Sequence, residues 1–354
     1  MNGFDVDRWM RRLLALPGIA VDILDRLQPV RLNDQPLPPA ELQRRISGSA
    51  RYPEAYLGLE PGLHHVDVGE GLQAYQVRGA TAFCVGGLNV ADAARVPALS
   101  RLHGGLKRLG IRRVLMFPLR AGELAAVRAT GFCSVQVGVE AWLDLPGLTF
   151  RGNRFEGARH MRNRSRRHGT TVQEIDVERH RVEIGAIYED WLQSKRPRWR
   201  MKLLVGSPGL ERPFDRRYFA AARGGRIEAF VTVLPGREGV WGVDVMCRRP
   251  DAFSGAMEHL LMHIAEVLRD EGADLLSLGP CPMAEIGEDG APRMLRAIFR
   301  MLYQSWLGNR VFGFRSLHRF KKKFRPRWEP VFFAARPRLG VLELYLGCRM
   351  WGLY

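Results

Sequence analysis

Short apolar segments alternate with amphipathic helical stretches along most of this 354-residue chain, and that alternation restricts its fold more than any other feature. In the first part of the chain, strand-like segments lie around residues 73–77, 82–85, 114–117 and 135–143, and helical stretches lie near 91–109 and 121–130. Strands and helices that alternate in this order favour a mixed sheet covered by helices. The sequence therefore predicts an α/β (α+β) fold.

A second series of strands and helices begins near Thr149. Its strands are predicted near 171–175, 217–222, 226–234, 240–246, 275–278 and 330–335, and its helices near 153–167, 178–193, 252–270, 292–307 and 314–324. A hairpin followed by a strand–helix–strand unit is how acyltransferase domains of the N-acetyltransferase (GNAT) type are ordered, so we predict two GNAT-like domains in tandem with a cleft between them. The expected boundaries are 1–48 for N-terminal helices and a linker, 49–148 for the first domain, 149–336 for the second, catalytic domain, and 337–354 for an amphipathic C-terminal tail.

The chain is strongly basic, with a net charge of +17 from 54 lysines and arginines against 37 acidic residues. Such an excess attracts polyanions such as nucleic acid or an anionic membrane surface. Its five cysteines include no C-x-x-C pair, which fits a reducing cytosol better than a disulfide framework. No apolar run approaches the roughly 18 residues needed to span a bilayer. We therefore expect a cytoplasmic protein, soluble or peripheral at the inner face of the membrane.

Three clusters of basic residues are candidate surfaces for a polyanion. They lie at residues 151–168, 195–202 and 315–328. Arginine and lysine neutralise phosphates, and interleaved aromatic residues such as Trp199 and Trp328 offer stacking faces for unpaired bases. We take Arg162, Arg164 and Arg319, together with Trp328, as candidate substrate-binding residues. For any single cluster, a solvated helix face is the alternative interpretation.

The motifs of common catalytic classes are absent from the sequence, which has no G-x-S-x-G elbow, P-loop or H-E-x-x-H pair. His259 and His263 are four residues apart on a predicted helix, but no acidic residue accompanies them at ligand spacing, so no metal site is predicted. The turn at 249–256 lies where acetyltransferases carry a glycine-rich loop for the coenzyme A pyrophosphate. It holds only Gly255, which disfavours coenzyme A, and we expect no cofactor.

From about residue 138 to 333 the chain resembles the C-terminal catalytic domain of the phosphatidylglycerol lysyltransferase family. Gly138–Leu145 is similar to the family's G-E-E-A-x-V-D-L, with Val139 in place of one Glu. Further matches in family order are F-x-L-x-G and L-R-N-x-x-N-R-x-x-x-x-G over 150–169, I-S-D-x-W-L-x-x-K at 187–195, D-L-M-R at 244–247, G-x-M at 255–257 and L-G-M-A-P-L at 278–282. The most specific block is Leu317–Pro330, which resembles L-x-R-F-K-x-K-F-x-P-x-W-E-P.

The resemblance implies transfer of an aminoacyl group from aminoacyl-tRNA, as co-substrate, to a hydroxyl of an anionic phospholipid head group. It implies catalytic roles for Asp244, which matches the aspartate of D-L-M-R, and for Lys321, and a substrate-binding role for Lys323. The family's next arginine is Cys247 here, so the neighbouring Arg248 is the candidate to replace it, because a thiol cannot bind an anion bidentately. Helix positions two residues apart point about 200° apart, so the two lysines should not be equivalent. The place of Lys321 in the R-F-K block of the family implies that Lys321 faces the cleft and Lys323 the solvent.

Several alternatives stay open. The same tRNA-dependent transfer can use a soluble hydroxyl or amine acceptor, and a non-catalytic relative that binds RNA or a membrane also fits the charge. A coenzyme A-dependent acetyltransferase comes last. The membrane-embedded half of the family has no counterpart in the matched segment. The apolar and aromatic tail Leu339–Tyr354 fits either docking on the protein's own core or contact with an anionic bilayer.

Overall fold

The computed structural model describes Val30 and residues 37–194, 206–287 and 314–351 of the chain. Three predicted features, the helices within 4–27, the basic cluster at 195–202 and the helix at 292–307, lie outside these residues. Within the described part of the chain, no helix is both long and apolar enough to cross a membrane.

Eleven strands form one continuous sheet. They are β1 His64–Asp67, β2 Leu72–Arg78, β3 Thr81–Val85, β4 Arg113–Arg120, β5 Cys133–Asp144, β6 Thr171–Glu174, β7 Arg217–Arg223, β8 Arg226–Pro235, β9 Val240–Arg248, β10 Leu275–Pro282 and β11 Arg327–Arg336. Their spatial order is β1-β2-β3-β4-β11-β5-β10-β9-β8-β7-β6. The β3–β4 and β9–β10 pairs are parallel and the other pairs are antiparallel. The predicted mixed α/β fold is confirmed.

Helices cover both faces of this sheet. They are α1 Pro39–Ser49, α2 Arg95–Arg108, α3 Leu124–Ala129, α4 Glu156–Arg167, α5 Val177–Ser194, α6 Ala256–Asp270, α7 Phe314–Lys322 and α8 Val341–Met350, with a 3₁₀ helix at Pro53–Leu59. Phe219 and Ala220 are neighbours on β7 and point to opposite faces. Phe219 packs with the buried side of α6, whereas Ala220 packs with Ile184 and Ile187 of α5.

Strand β11 joins the two predicted domains. It comes late in the chain, yet it lies between β4 and β5, where Val331 pairs with Arg120 on one side and with Gly138 on the other. The sheet therefore runs without a break through both predicted domains, and side chains from both halves can meet on one face. The boundary near residue 148 stays a prediction.

Two elements differ from the sequence prediction. β1 is a short edge strand that begins with two half-buried histidines, so it lacks the apolar alternation that reveals a strand. α1 begins at Pro39, in the last part of the segment 1–48, where no separate helix was located from the sequence. Proline is compatible with the first turn of a helix because the N–H that it lacks has no intrahelical acceptor there.

The described part of the C-terminal tail docks on the protein's own core. Leu346, Met350 and Trp351 are buried, and the Trp351 ring lies edge-on to Phe83 and Phe333 with centroids 5.5 and 5.8 Å away. The apolar side of α8 therefore covers the sheet. This is the first of the two alternatives that the sequence left open for the tail.

Candidate active site

The candidate site lies where β9 and β10 separate. The two strands pair in parallel over three positions only, from Val240 with Leu275 to Gly242 with Ser277. Beyond these pairs, β9 continues to Arg248 and β10 to Pro282 without pairing to each other. Backbone groups at such a gap need other partners, and side chains or a ligand can supply them.

Lys321 of α7 is a hydrogen-bond partner for two of these backbone groups. Its Nζ donates to the carbonyl oxygens of Gly279 at 2.9 Å and Pro280 at 3.0 Å, and the residue is only 3% exposed. Burial lowers the pKa of this ammonium, while the nearby Cys281 and Glu140 oppose that shift. An ammonium has three donors, so among the described residues one N–H is left for a ligand.

A buried charged group lies next to the gap on the face covered by the 3₁₀ helix. Arg120 Nη2 lies 2.8 Å from Glu54 Oε1 and 3.0 Å from Glu140 Oε2, and Ser277 Oγ donates to Glu140 Oε1 at 2.5 Å. The pKa of Glu140 is raised to about 7, chiefly by burial, against the opposing charge of Arg120. Glu140 stands in a family block but was given no role from the sequence, and Glu54, Arg120 and Ser277 were missed because they stand in no motif.

Asp244 belongs to a second buried group on the same face. Two residues of β9, Asp244 and Val245, lie opposite the single residue Thr232 of β8, which is a β-bulge. Asp244 Oδ2 accepts hydrogen bonds from Arg216 Nη2 at 2.9 Å and Nε at 3.1 Å, and its side chain is 9% exposed. The strand was predicted to end near Met246, two residues after Asp244, and it continues through the bulge to Arg248.

The first half of the chain contributes an acid to this second group. Glu60 accepts hydrogen bonds from the backbone N–H and the hydroxyl of Ser207, at 2.8 and 3.0 Å. Burial raises the pKa of Glu60, the two Ser207 bonds oppose that shift, and the charge of Asp244 adds to it. Glu54 and Glu60 lie within and just after the 3₁₀ helix, which thus connects both buried groups. Neither Glu60 nor Arg216 stands in a motif that the sequence analysis could have used.

The remaining residues of the third basic cluster have separate environments. Lys323 is partly exposed and pairs with Glu258 of α6 at 2.8 Å, whereas Lys321 is buried, so the two lysines are not equivalent. Arg319 is exposed on α7. The Trp328 ring is half-buried and lies edge-on to His318 at 4.7 Å. Of these residues, Arg319 and Lys323 are accessible to a large ligand.

Arg162 and Arg164, both on α4, also differ. Arg162 is tied to Glu266 of α6 at 2.7 Å, so it helps to hold the two helices together. Arg164 is exposed, with its guanidinium 5.5 Å from the centre of the Phe253 ring. The exposed basic face of α4 therefore excludes Arg162 and includes Arg164, Arg166 and Arg167.

The side chains of Arg248 and Cys247 occupy different environments. Cys247 is fully buried among Ile184 and Ile187 of α5, and Arg248 is exposed at the end of β9. Adjacent residues of a strand point to opposite faces, so the guanidinium leaves β9 in another direction from the thiol.

The paired histidines of α6 show no sign of a metal site. His259 Nδ1 lies 3.4 Å from Ser165 Oγ, and burial lowers the pKa of His259 to about 4, with the charges of Arg166 and Arg162 adding to the shift. Within the described ranges, no three His, Cys, Asp or Glu side chains are grouped so that they could hold a metal ion.

Comparison with known proteins bears on this site. The sequence model of the family described as "Phosphatidylglycerol lysyltransferase, C-terminal" matches residues 44–335. The phosphatidylglycerol lysyltransferase of Bacillus subtilis (strain 168) is 26% identical over 249 residues, which cover 68% of this chain and 28% of that protein. The lysylphosphatidylglycerol biosynthesis bifunctional protein LysX of Mycobacterium sp. (strain JLS) is 26% identical over 249 residues, 63% of this chain and 22% of that one. The chain thus spans between about a fifth and three tenths of the length of these relatives.

A solved structure shows the same fold. The structure of L-PGS from Bacillus licheniformis superposes with a TM-score of 0.73 at 20% identity, and the match covers 90% of this chain and 97% of that one.

Proposed function

Because this chain belongs to the phosphatidylglycerol lysyltransferase C-terminal family, we propose that it transfers an amino acid from aminoacyl-tRNA to a hydroxyl of an anionic phospholipid head group such as phosphatidylglycerol. The names of the relatives identify phosphatidylglycerol as the lipid and lysine as the amino acid for those proteins. The observation that carries the proposal is the buried ammonium of Lys321, held by two carbonyls of β10 at the gap between β9 and β10.

The proposed reaction is a transesterification. The acceptor oxygen forms a bond to the carbonyl carbon, the ester bond to the terminal ribose breaks, and the proton of the acceptor hydroxyl goes to the ribose oxygen. This ester is already activated, so the protein mainly has to position the acceptor and stabilise charge on the carbonyl oxygen. Lys321 supplies a buried positive charge for that oxygen. Asp244, fixed by Arg216, orients the acceptor.

Exposed cations on two helices support binding of the tRNA. Arg164, Arg166 and Arg167 are exposed on α4, and Arg319 is exposed on α7. Each exposed arginine can neutralise a phosphate and release its counterions. The partly exposed Lys323 adds a further cation at the end of α7.

The buried Cys247 favours a second candidate function, the same donor chemistry with a soluble hydroxyl or amine acceptor. The family pattern has an arginine at this point of β9, and here a thiol packs among Ile184 and Ile187. A bidentate contact from this position to a lipid phosphate is therefore not available to the acceptor.

Purified protein incubated with a mixed pool of charged tRNAs, total lipid and labelled amino acid tests the proposal. Label should enter the lipid phase, and ribonuclease should abolish the transfer. Lys321→Ala should lower turnover by roughly 100-fold or more, whereas Lys322→Ala, its exposed neighbour on the same helix, should not. Transfer that survives ribonuclease when acetyl-coenzyme A is present would overturn the proposal. Label found only in a water-soluble product would favour the second candidate.

Peripheral contact with an anionic bilayer is part of the proposal, since a lipid acceptor must be reached at the membrane surface. The positive charge of the chain supports it, because cations near an anionic leaflet are attracted to it. Flotation with liposomes that contain phosphatidylglycerol should recover more protein than flotation with neutral liposomes, and the difference should shrink at high salt. Equal recovery with both lipid mixtures counts against the contact.

A further inference from the structure

The carboxyl groups of Glu54 and Glu140 lie close together, because both contact the same guanidinium group. A single guanidinium nitrogen, Arg120 Nη2, reaches one oxygen of each, at 2.8 and 3.0 Å. The other oxygen of Glu54, Oε2, is buried, and no donor among the described residues reaches it. Burial raises the pKa of Glu140, and the charge of Glu54 adds to this shift, so a proton on Glu140 is favoured.

The charged groups around this pair act on the pKa of Glu140. The groups near Glu140 come from every element packed against it. They are Arg120 of β4, Glu54 of the 3₁₀ helix, Ser277 of β10, Glu329 directly opposite on β11, Lys321 of α7, and Glu123, which is fully buried next to Arg120. Arg327 of β11 contacts Glu329, and the charge of Arg95 acts on Glu123, so these two acids have cations of their own. The pKa of Glu140 is raised to about 7, first by burial and further by the charge and hydrogen bond of Glu54.

Ser277 connects the carboxyl pair to the gap between β9 and β10. Its hydroxyl donates to Glu140 Oε1 at 2.5 Å and accepts from the backbone N–H of Gly279 at 2.9 Å. Ser277 is also the last residue of β10 that pairs with β9, so it marks the start of the gap. A hydroxyl has two acceptor lone pairs, and the second is left for the hydroxyl of an acceptor in the gap.

We propose that the Glu54–Glu140 carboxyl pair, acting through the hydroxyl of Ser277, accepts the proton of the acceptor hydroxyl and returns it to the leaving ribose oxygen. As the acceptor oxygen bonds to the carbonyl carbon, its proton passes to Ser277 Oγ and the Ser277 proton passes to Glu140. When the ester bond to the ribose breaks, the same relay runs backwards and protonates the ribose oxygen. Ser277 contacts the substrate, Glu140 and Glu54 act behind it, and Asp244 is not the base. This inference rests on the proposed function.

The pH dependence of transfer tests this assignment. Glu140 must be ionised to accept a proton, so turnover by the wild-type protein should rise with pH through about 7. Glu140→Gln and Ser277→Ala should each lower turnover by roughly 100-fold or more, and Glu140→Gln should remove the rise. Glu54→Gln removes a group that raises the pKa of Glu140, so the rise should move to lower pH while turnover at high pH is retained. Asp244→Asn should leave the position of the rise unchanged, as should Asp144→Asn, an exposed carboxylate four residues further along β5.

Infrared spectroscopy of the carboxyl stretch follows the pair without any substrate. A protonated carboxyl band should titrate near pH 7 in the wild-type protein, disappear in Glu140→Gln and titrate at lower pH in Glu54→Gln. A wild-type protein with no such band contradicts the inference whether or not transfer occurs. Active protein in which Glu140→Gln keeps the pH dependence of the wild type also contradicts it. A wild-type protein that shows the band but transfers no amino acid to any acceptor contradicts the proposed function and leaves the titration of Glu140 standing.

Discussion

Replacing Asp244 by Asn tests whether this carboxylate stabilises the fold through a buried ion pair with Arg216. The pair is bidentate, with contacts of 2.9 and 3.1 Å, and the Asp244 and Arg216 side chains are only 9% and 5% exposed. Removing one member of a buried pair leaves the other charge uncompensated, which costs about 3–5 kcal/mol. Asn keeps the volume, and the Glu60 carboxyl lies near enough to offset part of the charge. We therefore expect the lower end of this range, about 3 kcal/mol.

A double-mutant cycle measured by urea unfolding gives the coupling between the two side chains. Asp244→Asn and Arg216→Met should each lower the unfolding midpoint. The double variant should lose less than the sum of the two, by about 2 kcal/mol, because neither charge is then left unpaired. The matched control is Asp251→Asn. Asp251 forms an exposed ion pair with Arg226 at a similar distance, 2.8 Å, so this substitution should leave the unfolding midpoint unchanged.

Transfer assays on the folded variants complete the test. Asp244→Asn should lower turnover because the acceptor is less well oriented, yet the pH dependence of transfer should stay as in the wild type. Two results refute the reasoning. One is an Asp244→Asn protein as stable as the wild type, or a coupling near zero, which means that the pair is not a buried ion pair. The other is loss of the pH dependence in Asp244→Asn alone, which makes Asp244 the base.

Three further predictions concern stability. Gly255→Ala should destabilise the protein by more than about 1 kcal/mol in urea melts, because φ at Gly255 is +101° and a Cβ would lie 2.4 Å from the Met161 carbonyl oxygen. The control is Gly157→Ala on α4, where a Cβ would meet nothing within 4 Å, and it should stabilise the protein by about 0.5–1 kcal/mol. Trp351→Ala should cost about 3–5 kcal/mol if α8 is docked as described, and an unchanged midpoint contradicts that docking. The pKa of His259 in the folded protein is lowered from 6.5 to about 4. As pH falls from about 6.5 to 4, the unfolded chain binds a proton at this residue and the folded protein does not, so the free energy of unfolding decreases. His259→Gln should therefore lose less stability than the wild type over that range in pH-dependent thermal melts.

Local patterns in the sequence were enough for the fold class and for one residue of the candidate site. The alternation of apolar segments with amphipathic stretches predicted most strands and helices, since side-chain periodicity is set by the element that carries it. The block Leu317–Pro330 led to Lys321, and the spacing of two residues predicted that Lys321 and Lys323 have different environments. The basic clusters on α4 and α7 are also visible in the sequence, because charge on an exposed helix does not depend on distant partners.

Tertiary structure alone decided which polar residues meet. Glu54, Arg120, Glu140 and Ser277 come from a 3₁₀ helix and three strands far apart in the chain. They meet because β4, β11, β5 and β10 are successive strands of the sheet and the 3₁₀ helix packs across it. Asp244 was expected to be a catalytic carboxylate, and nothing in the sequence showed that it lies in a bulge of β9 and pairs with Arg216. Burial and pairing of a charge depend on neighbours supplied by distant segments, and no local pattern of residues encodes them.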